Sequence, residues 1–562
     1  MKRFLPFVLF WFILNLIQSF FTEIIDDEAY YWVYSQFLSW GYFDHPPMIA
    51  WLIRIGSTLL PGELGVRLMP SLLGAGTILL TFIMLKDQIR NYRLLMLVVF
   101  SIPLFHANVA GFIATPDLPL VFFATLFFFL YKRYLANESL ANVLLLGLSI
   151  ALMLYSKYHA LLIIGFTLLS NPKILLRRSF WIMAVFASIL YLPHIIWQFK
   201  QHFVSFGYHL MDRNRPFEVK FLLEYFGNQL FMVGPLCGIF LLYLGFNHKT
   251  NNKFETALKF NLVGFFLFFL LSSVRGHVEP HWTAVAFIPL VLLSFPEIQK
   301  KIVLQKWITV TASITIVVIL FLRLVLVADL GLLPEKVSHR FLHKEESFQQ
   351  IQKEAKGRSV VFTNSYQKAS LYWFFNREPA FSLNDIYYRK NQYDLMDQEA
   401  VLQGKEVLYF PGIEFPGCDS LKTGIGNLII SDTEFFCHFN RVEIKLPQLI
   451  QEFETGKMVD IDIELSNPSS ETISFCDSCT HKPRLLSTYF SDNGYTVTYF
   501  VKSPNPLPDL APGEHIVYPV QIRVPYFTGE FQLAVSLGSD YLRAGINGKP
   551  VTTTVHARSK MN

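Results

Sequence analysis

Residues 23–54 read EIIDDEAYYWVYSQFLSWGYFDHPPMIAWLIR and separate two apolar runs. Five carboxylates fall here: Glu23, Asp26, Asp27, Glu28 and Asp44. They sit among more Tyr, Trp and Phe than a plain exposed loop carries. Tyr and Trp favour the lipid–water boundary, with one end of the ring wet and the other apolar. The stretch therefore reads as lying at a membrane surface and presenting carboxylates there. Tyr30, Val33, Tyr34 and Phe37 recur at helical spacing within 28–39, as do Ile49, Leu52, Ile53 and Leu60 within 47–60. Two short helices along the membrane plane are predicted, divided by Pro46-Pro47.

The rest of the chain fits that setting. Of 562 residues, 52% are hydrophobic and only 16% charged, and mean hydropathy is +0.36. Soluble domains carry about a quarter charged residues. The composition is that of a polytopic α-helical membrane protein with a soluble tail. The run after Met1-Lys2-Arg3 resembles a signal sequence but lacks a small-residue cleavage site, so it reads as a first spanning helix. Further apolar runs lie near 63–85, 93–113, 117–135, 139–156, 157–171, 179–198, 221–246, 254–274, 281–297 and 303–327. The expectation is about eleven transmembrane helices, the runs at 139–156 and 157–171 being short for a full crossing.

Alternate connections carry Lys86, Arg90 and Arg93; Lys132 and Arg133; Lys173, Arg177 and Arg178; Lys249 and Lys253; and Lys300, Lys301 and Lys306. The positive-inside rule puts these in the cytoplasm. The stretch 23–62 and everything after Asp329 then share the outer compartment, periplasmic in a bacterial inner membrane. The division expected is a membrane domain over 1–330, a small α/β unit over 340–425 and a β-sandwich of immunoglobulin-like type over 430–562. Strands are predicted at 359–363, 406–410, 458–465, 494–501, 516–524 and 530–536, and a helix at 365–376. Of five cysteines, Cys476 and Cys479 form a CDSC pair and Cys418 with Cys437 is a second option; a periplasmic disulfide or unpaired thiols fit better than zinc. No nucleotide loop, dinucleotide fingerprint or internal repeat is present, and nothing points to a nucleic-acid partner.

Ionisable groups at membrane depth are costly and read first as functional. Asp26-Asp27-Glu28 offers a general base for a hydroxyl. Tyr42-Phe43-Asp44-His45-Pro46-Pro47 offers Asp44 and His45 to orient substrate or meet a divalent cation. Thr115-Pro116-Asp117 places a carboxylate at the outer end of a helix. Each acid also reads as a helix cap. Lys157 in its apolar hairpin, and Arg275, His277 and His281 in VRGHVEPHW, suit a lipid phosphate. The plainer readings are snorkelling for Lys157 and a solvated charge for Arg275. Arg213 and Arg215 read as surface charges. Carboxylates facing cations across an outer-leaflet cavity fit a reaction with a lipid-phosphate leaving group.

The ordered set Asp27-Glu28-Ala29-Tyr30-Tyr31, Tyr42 to Pro47, Pro116-Asp117-Leu118-Pro119-Leu120, Lys157 and Glu279-Pro280-His281-Trp282 resembles the GT-C membrane glycosyltransferases over about residues 1–330. The nearest groups are the protein O-mannosyltransferases and the bacterial aminoarabinose transferase that modifies lipid A. The resemblance implies a polyprenyl-phosphate sugar donor, inversion at the anomeric carbon, and a protein, lipid A or glycan acceptor. It implies Asp27 as the catalytic carboxylate and Asp117 as the second acidic position. Glu28, Asp44, His45, Lys157, Arg275 and His281 would be substrate-binding. Asp44 and His45 stand where the aminoarabinose enzyme has Glu-Lys. No cofactor is required on this reading, and a divalent metal stays open. A lipid-linked glycan transporter or flippase, a ligase using a lipid pyrophosphate, and an inert membrane scaffold are the competing functions.

Overall fold

The computed structural model describes residues 3–210, 217–332, 338, 341–396, 399–447, 452–475, 482–491, 494–539 and 542–557. Arg213, Arg215, Cys476 and Cys479 lie outside them. The chain divides into two units, residues 1–344 and 345–562.

The first unit is helical. In chain order its helices are α1 (Leu5–Phe21), α2 (Asp26–Gln36), α3 (Met48–Leu59), α4 (Gly62–Leu85), α5 (Tyr92–Phe100), α6 (Asp117–Ala136), α7 (Leu140–Ser156), α8 (Ala160–Ser170), α9 (Arg178–Lys200), α10 (Val204–Leu210), α11 (Val219–Val233), α12 (Gly238–Asn247), α13 (Lys253–Ser272), α14 (Phe287–Ile298) and α15 (Ile302–Ala328). Among the described residues six helical stretches are long and apolar enough to cross a membrane: Gly62–Leu85, Asp117–Ala136, Arg178–Lys200, Lys253–Ser272, Pro280–Ile298 and Ile302–Ala328. The number rises to 8 if the bent pairs α1 with α2 and α11 with α12 each count as one span. The chain is a multi-pass membrane protein, with fewer full-length spans than the eleven apolar runs. The run at 93–113 forms only the nine-residue α5 and a 3-10 turn at Pro103–His106. The runs on either side of Lys157 form helices of 17 and 11 residues, about 26 and 17 Å long. The short crossing expected there is what the structure shows.

α2 turns 92° away from α1, so a spanning α1 leaves α2 lying across it. The aromatic residues of this stretch divide in two. Tyr30, Tyr34, Tyr42 and Phe43 are buried, while Phe37 and Trp40 are exposed. The first group is core rather than interfacial belt. Tyr34 and Tyr42 stack with centroids 4.2 Å apart, and the Tyr42 hydroxyl donates to the Tyr34 carbonyl at 2.9 Å.

In the second unit, strands β1 (Ser359–Thr363), β2 (Ala380–Leu383), β3 (Val407–Phe410), β4 (Asp419–Thr423) and β5 (Gly426–Thr433) form one sheet in the order β2-β1-β3-β5-β4, with the helix Tyr366–Asn376 crossing from β1 to β2. The first three strands pair in parallel. Strands β6 (Glu443–Lys445), β7 (Glu452–Glu454), β8 (Met458–Ser466), β9 (Arg484–Phe490), β10 (Thr496–Phe500), β11 (His515–Arg523), β12 (Gly529–Gly538) and β13 (Val551–His556) form two more sheets, β10-β9-β12-β13-β7 and β11-β8-β6. Alternate residues of both, such as Ile461, Ile463 and Leu465 from β8 and Leu533, Val535 and Leu537 from β12, share one apolar core. Cys437 is disulfide-bonded, its partner lying outside the described residues, and Cys418 is free. The Cys418–Cys437 pairing is therefore excluded.

Candidate active site

α6 and α7 pack side by side as a hairpin turned at 137–139. Asp117 and Lys157 lie 40 residues apart, nearly equidistant from that turn, so the start of α6 meets the end of α7. The Lys157 Nζ donates to both Asp117 carboxylate oxygens, at 2.7 and 2.9 Å. Both side chains are almost fully withdrawn from solvent, 8% and 3% exposed. Lys157 therefore does not snorkel. The helix breaks at Lys157, which is extended, and resumes at Ala160. Asp117 opens α6, where a carboxylate complements the helix dipole. His281 Nε2 stands 3.5 Å from Asp117 Oδ2. Three of the expected residues, from three separate stretches, thus meet at one point.

Tyr158 continues the site from Lys157. Its hydroxyl lies 3.2 Å from His194 Nε2 and accepts from Gln198 Nε2 at 2.6 Å. The other His194 nitrogen donates to the Trp40 carbonyl at 2.7 Å, and Ser205 Oγ donates to the Tyr42 carbonyl at 3.1 Å. This network holds the 40–45 loop against α9 and α10. Asp44, 7% exposed, accepts from the Tyr30 hydroxyl at 3.3 Å and lies within electrostatic reach of Tyr158. His45 packs edge-on to Tyr31, centroids 5.6 Å apart. Among the described residues no group of three or more His, Cys, Asp or Glu side chains is placed to hold a metal ion, and Asp44 with His45 makes too few ligands by itself.

Glu28, expected to bind substrate, instead builds the frame. It is fully buried and its four acceptor positions are filled. Arg67 Nε and Nη2 reach the two oxygens at 2.8 and 2.5 Å, and the backbone amides of Ala114 and Ile25 donate at 2.7 and 3.1 Å. The Ala114 bond ties the start of α2 to the segment that leads into Asp117. Asp27 is the neighbouring residue, in the first turn of α2 and half-buried. Asp26 lies 3.6 Å from the Lys344 ammonium, whose own donor bond goes to the Ile24 carbonyl at 2.6 Å. Burial pulls the Lys344 ammonium below its usual range. Arg275 is exposed in the connection after α13, and its side chain has no partner among the described residues.

Arg67 and Arg323 escaped the sequence reading, though a charge inside an apolar run was signal enough. Arg323, in α15, bonds Gln18, His106, Asn15 and the Leu14 carbonyl at 3.1–3.2 Å, pinning the last long helix to the first.

Residues 44–197 match the family described as dolichyl-phosphate-mannose-protein mannosyltransferase. The chain is 25% identical over 285 residues to the lipid A galacturonosyltransferase RgtD of Rhizobium johnstonii, covering 48% of this chain and 59% of that one. It is 26% identical over 272 residues to an uncharacterized protein of Aquifex aeolicus, covering 45% and 54%. The chain thus spans between half and two thirds of the length of these relatives. The crystal structure of ArnT from Cupriavidus metallidurans in the apo state superposes with a TM-score of 0.57 at 11% identity, over 76% of this chain and 97% of ArnT. ArnT bound to undecaprenyl phosphate gives 0.56 over the same shares. The membrane unit has the GT-C glycosyltransferase fold. The family match covers Asp44, His45, Asp117, Lys157 and most of α9, and it leaves out Asp27 and His281.

Proposed function

We propose that this protein transfers a sugar from a polyprenyl-phosphate-linked donor to an acceptor hydroxyl or phosphate at the outer face of a bacterial inner membrane. The observation that carries the reading is the buried Lys157–Asp117 pair with His281 beside it, at the end of the α6–α7 hairpin. A buried ammonium there suits the phosphate of a lipid whose chain lies in the bilayer. The ArnT fold accommodates undecaprenyl phosphate, which supports the class of donor. Positive-inside placement of the Lys and Arg connections supports the outer face, and with it a periplasmic tail. The β11-β8-β6 sheet facing β10-β9-β12-β13-β7, with β7 parallel to β13, supports an immunoglobulin-like reading of that tail.

In the reaction, an acceptor oxygen attacks the anomeric carbon from the face opposite the phosphate, which inverts the configuration. Asp27 takes the acceptor proton. The bond from the anomeric carbon to the phosphate oxygen breaks, and the polyprenyl phosphate leaves with the electron pair. Lys157, with His281 and the exposed Arg275, stabilises charge growing on that oxygen. Asp117 orients Lys157, while Asp44, fixed by Tyr30, holds the sugar or the acceptor. The test is transfer from a labelled polyprenyl-phosphate sugar in membranes. Asp27→Asn is expected to lower turnover about 10²- to 10⁴-fold, the usual worth of a general base. Near wild-type turnover would remove Asp27 from this role.

A further inference from the structure

A second cationic site lies at the far end of α6. Lys132 is 15 residues beyond Asp117 on that helix, about 22 Å along its axis. There Lys132, Arg177 and Lys253 line a cavity of about 410 Å³ that also has an apolar wall from Leu85, Leu258 and Leu292. Arg177 is paired with Glu138, which leaves the two lysines as its main cations. The Lys132 ammonium stands 5.6 Å above the Phe254 ring. Lys253 is the first residue of α13, and its side chain has no partner among the described residues. Glu255, a carboxylate in the lining, is already taken up by His248 and by the amides of Asn251 and Asn252. With Glu255 counted, the lining keeps a net positive charge from Lys132, Arg177 and Lys253.

We propose that this cavity binds the phosphate headgroup of an anionic phospholipid, with an acyl chain along the apolar wall. A cationic flank joined to an apolar flank at a helix end is the chemistry of such a lipid. The three cations belong to connections that the positive-inside rule places at the cytoplasmic leaflet, where basic pockets between helices take anionic headgroups. The site is independent of the sugar-transfer reading, because none of its residues lies in the candidate active site.

The experiment is native mass spectrometry of the full-length protein in detergent, titrated with phosphatidylglycerol, phosphatidylcholine or glycerol 3-phosphate. One copy of phosphatidylglycerol is expected to saturate the wild type. Each lysine removed is expected to weaken binding about 5-fold, so Lys132→Gln with Lys253→Gln gives about 25-fold. Lys253→Gln alone, at an exposed side chain with no partner to lose, keeps the test open should the double variant fold poorly. Lys301→Gln, outside the cavity, is expected to change nothing. Unchanged affinity in the lysine variants, an equal loss in Lys301→Gln, or equal affinity for phosphatidylcholine would overturn the proposal. Saturation by glycerol 3-phosphate at the concentration that suffices for the lipid would show a soluble-phosphate site instead, and overturn it too.

Discussion

Replacing Lys157 by Met strands the Asp117 carboxylate. At 2.7 Å and an effective dielectric of about 20, the attraction lost is about 6 kcal/mol before desolvation is counted. Removing one partner of a buried pair costs about 3–5 kcal/mol net, because the survivor stays buried and charged. His281, 3.5 Å from Asp117, leaves a second polar neighbour and sets the expectation for Lys157→Met near 3 kcal/mol. Asp117→Leu is expected to cost a similar amount by leaving the ammonium alone. The double variant leaves neither charge, so it should recover most of one penalty, with a coupling of about 3 kcal/mol. Chemical denaturation of the four proteins in one detergent measures the cycle. Sugar transfer, read separately, should be lost in all three variants, the stable double included. Strictly additive single costs would refute the reasoning, because they would mean that the two groups do not hold each other in the folded protein.

Arg67→Leu should cost about 3–5 kcal/mol and sharply lower folded yield, since Glu28 is fully buried and Arg67 supplies two of its four donors. Arg67→Lys should rescue little, as one ammonium cannot span both oxygens the way the guanidinium fork does; yield by size-exclusion chromatography decides. In the second unit, burial pushes the Asp394 carboxyl up to about 6. The folded state then holds a proton that the unfolded state releases near pH 4, so local stability is greatest below pH 4 and falls as pH rises to about 6. The loss is roughly 3 kcal/mol at most. Hydrogen exchange across 380–396 should show this trend, and Asp394→Asn should flatten it.

The membrane class and the Asp117–Lys157 meeting were both within reach of the linear chain. A hairpin with equal arms about 137–139 returns residue 157 to residue 117, so periodicity and a turn imply the contact. The strands at 359–363 and 406–410 were legible for a similar local reason, being short β-branched and aromatic runs bounded by turn residues. Glu28 was not legible. Nothing local distinguishes it from Asp27, and its role depends on Arg67, 39 residues away, turning inward. The buried tyrosines misled for the same reason: an aromatic ring suits a lipid boundary or a protein core equally, and only its neighbours decide.

Hydropathy and the placement of Lys and Arg by themselves determined that this chain crosses a membrane and which ends of its helices carry the acids, because transfer free energy is a sum over residues that needs no partner. Tertiary structure decided which of those acids are spent. Glu28 is saturated by Arg67 and two backbone amides, Asp117 is shared between Lys157 and His281, and Asp44 is steadied by Tyr30. Hydrogen-bond capacity is used up by neighbours in space, and most of those neighbours come from distant parts of the chain.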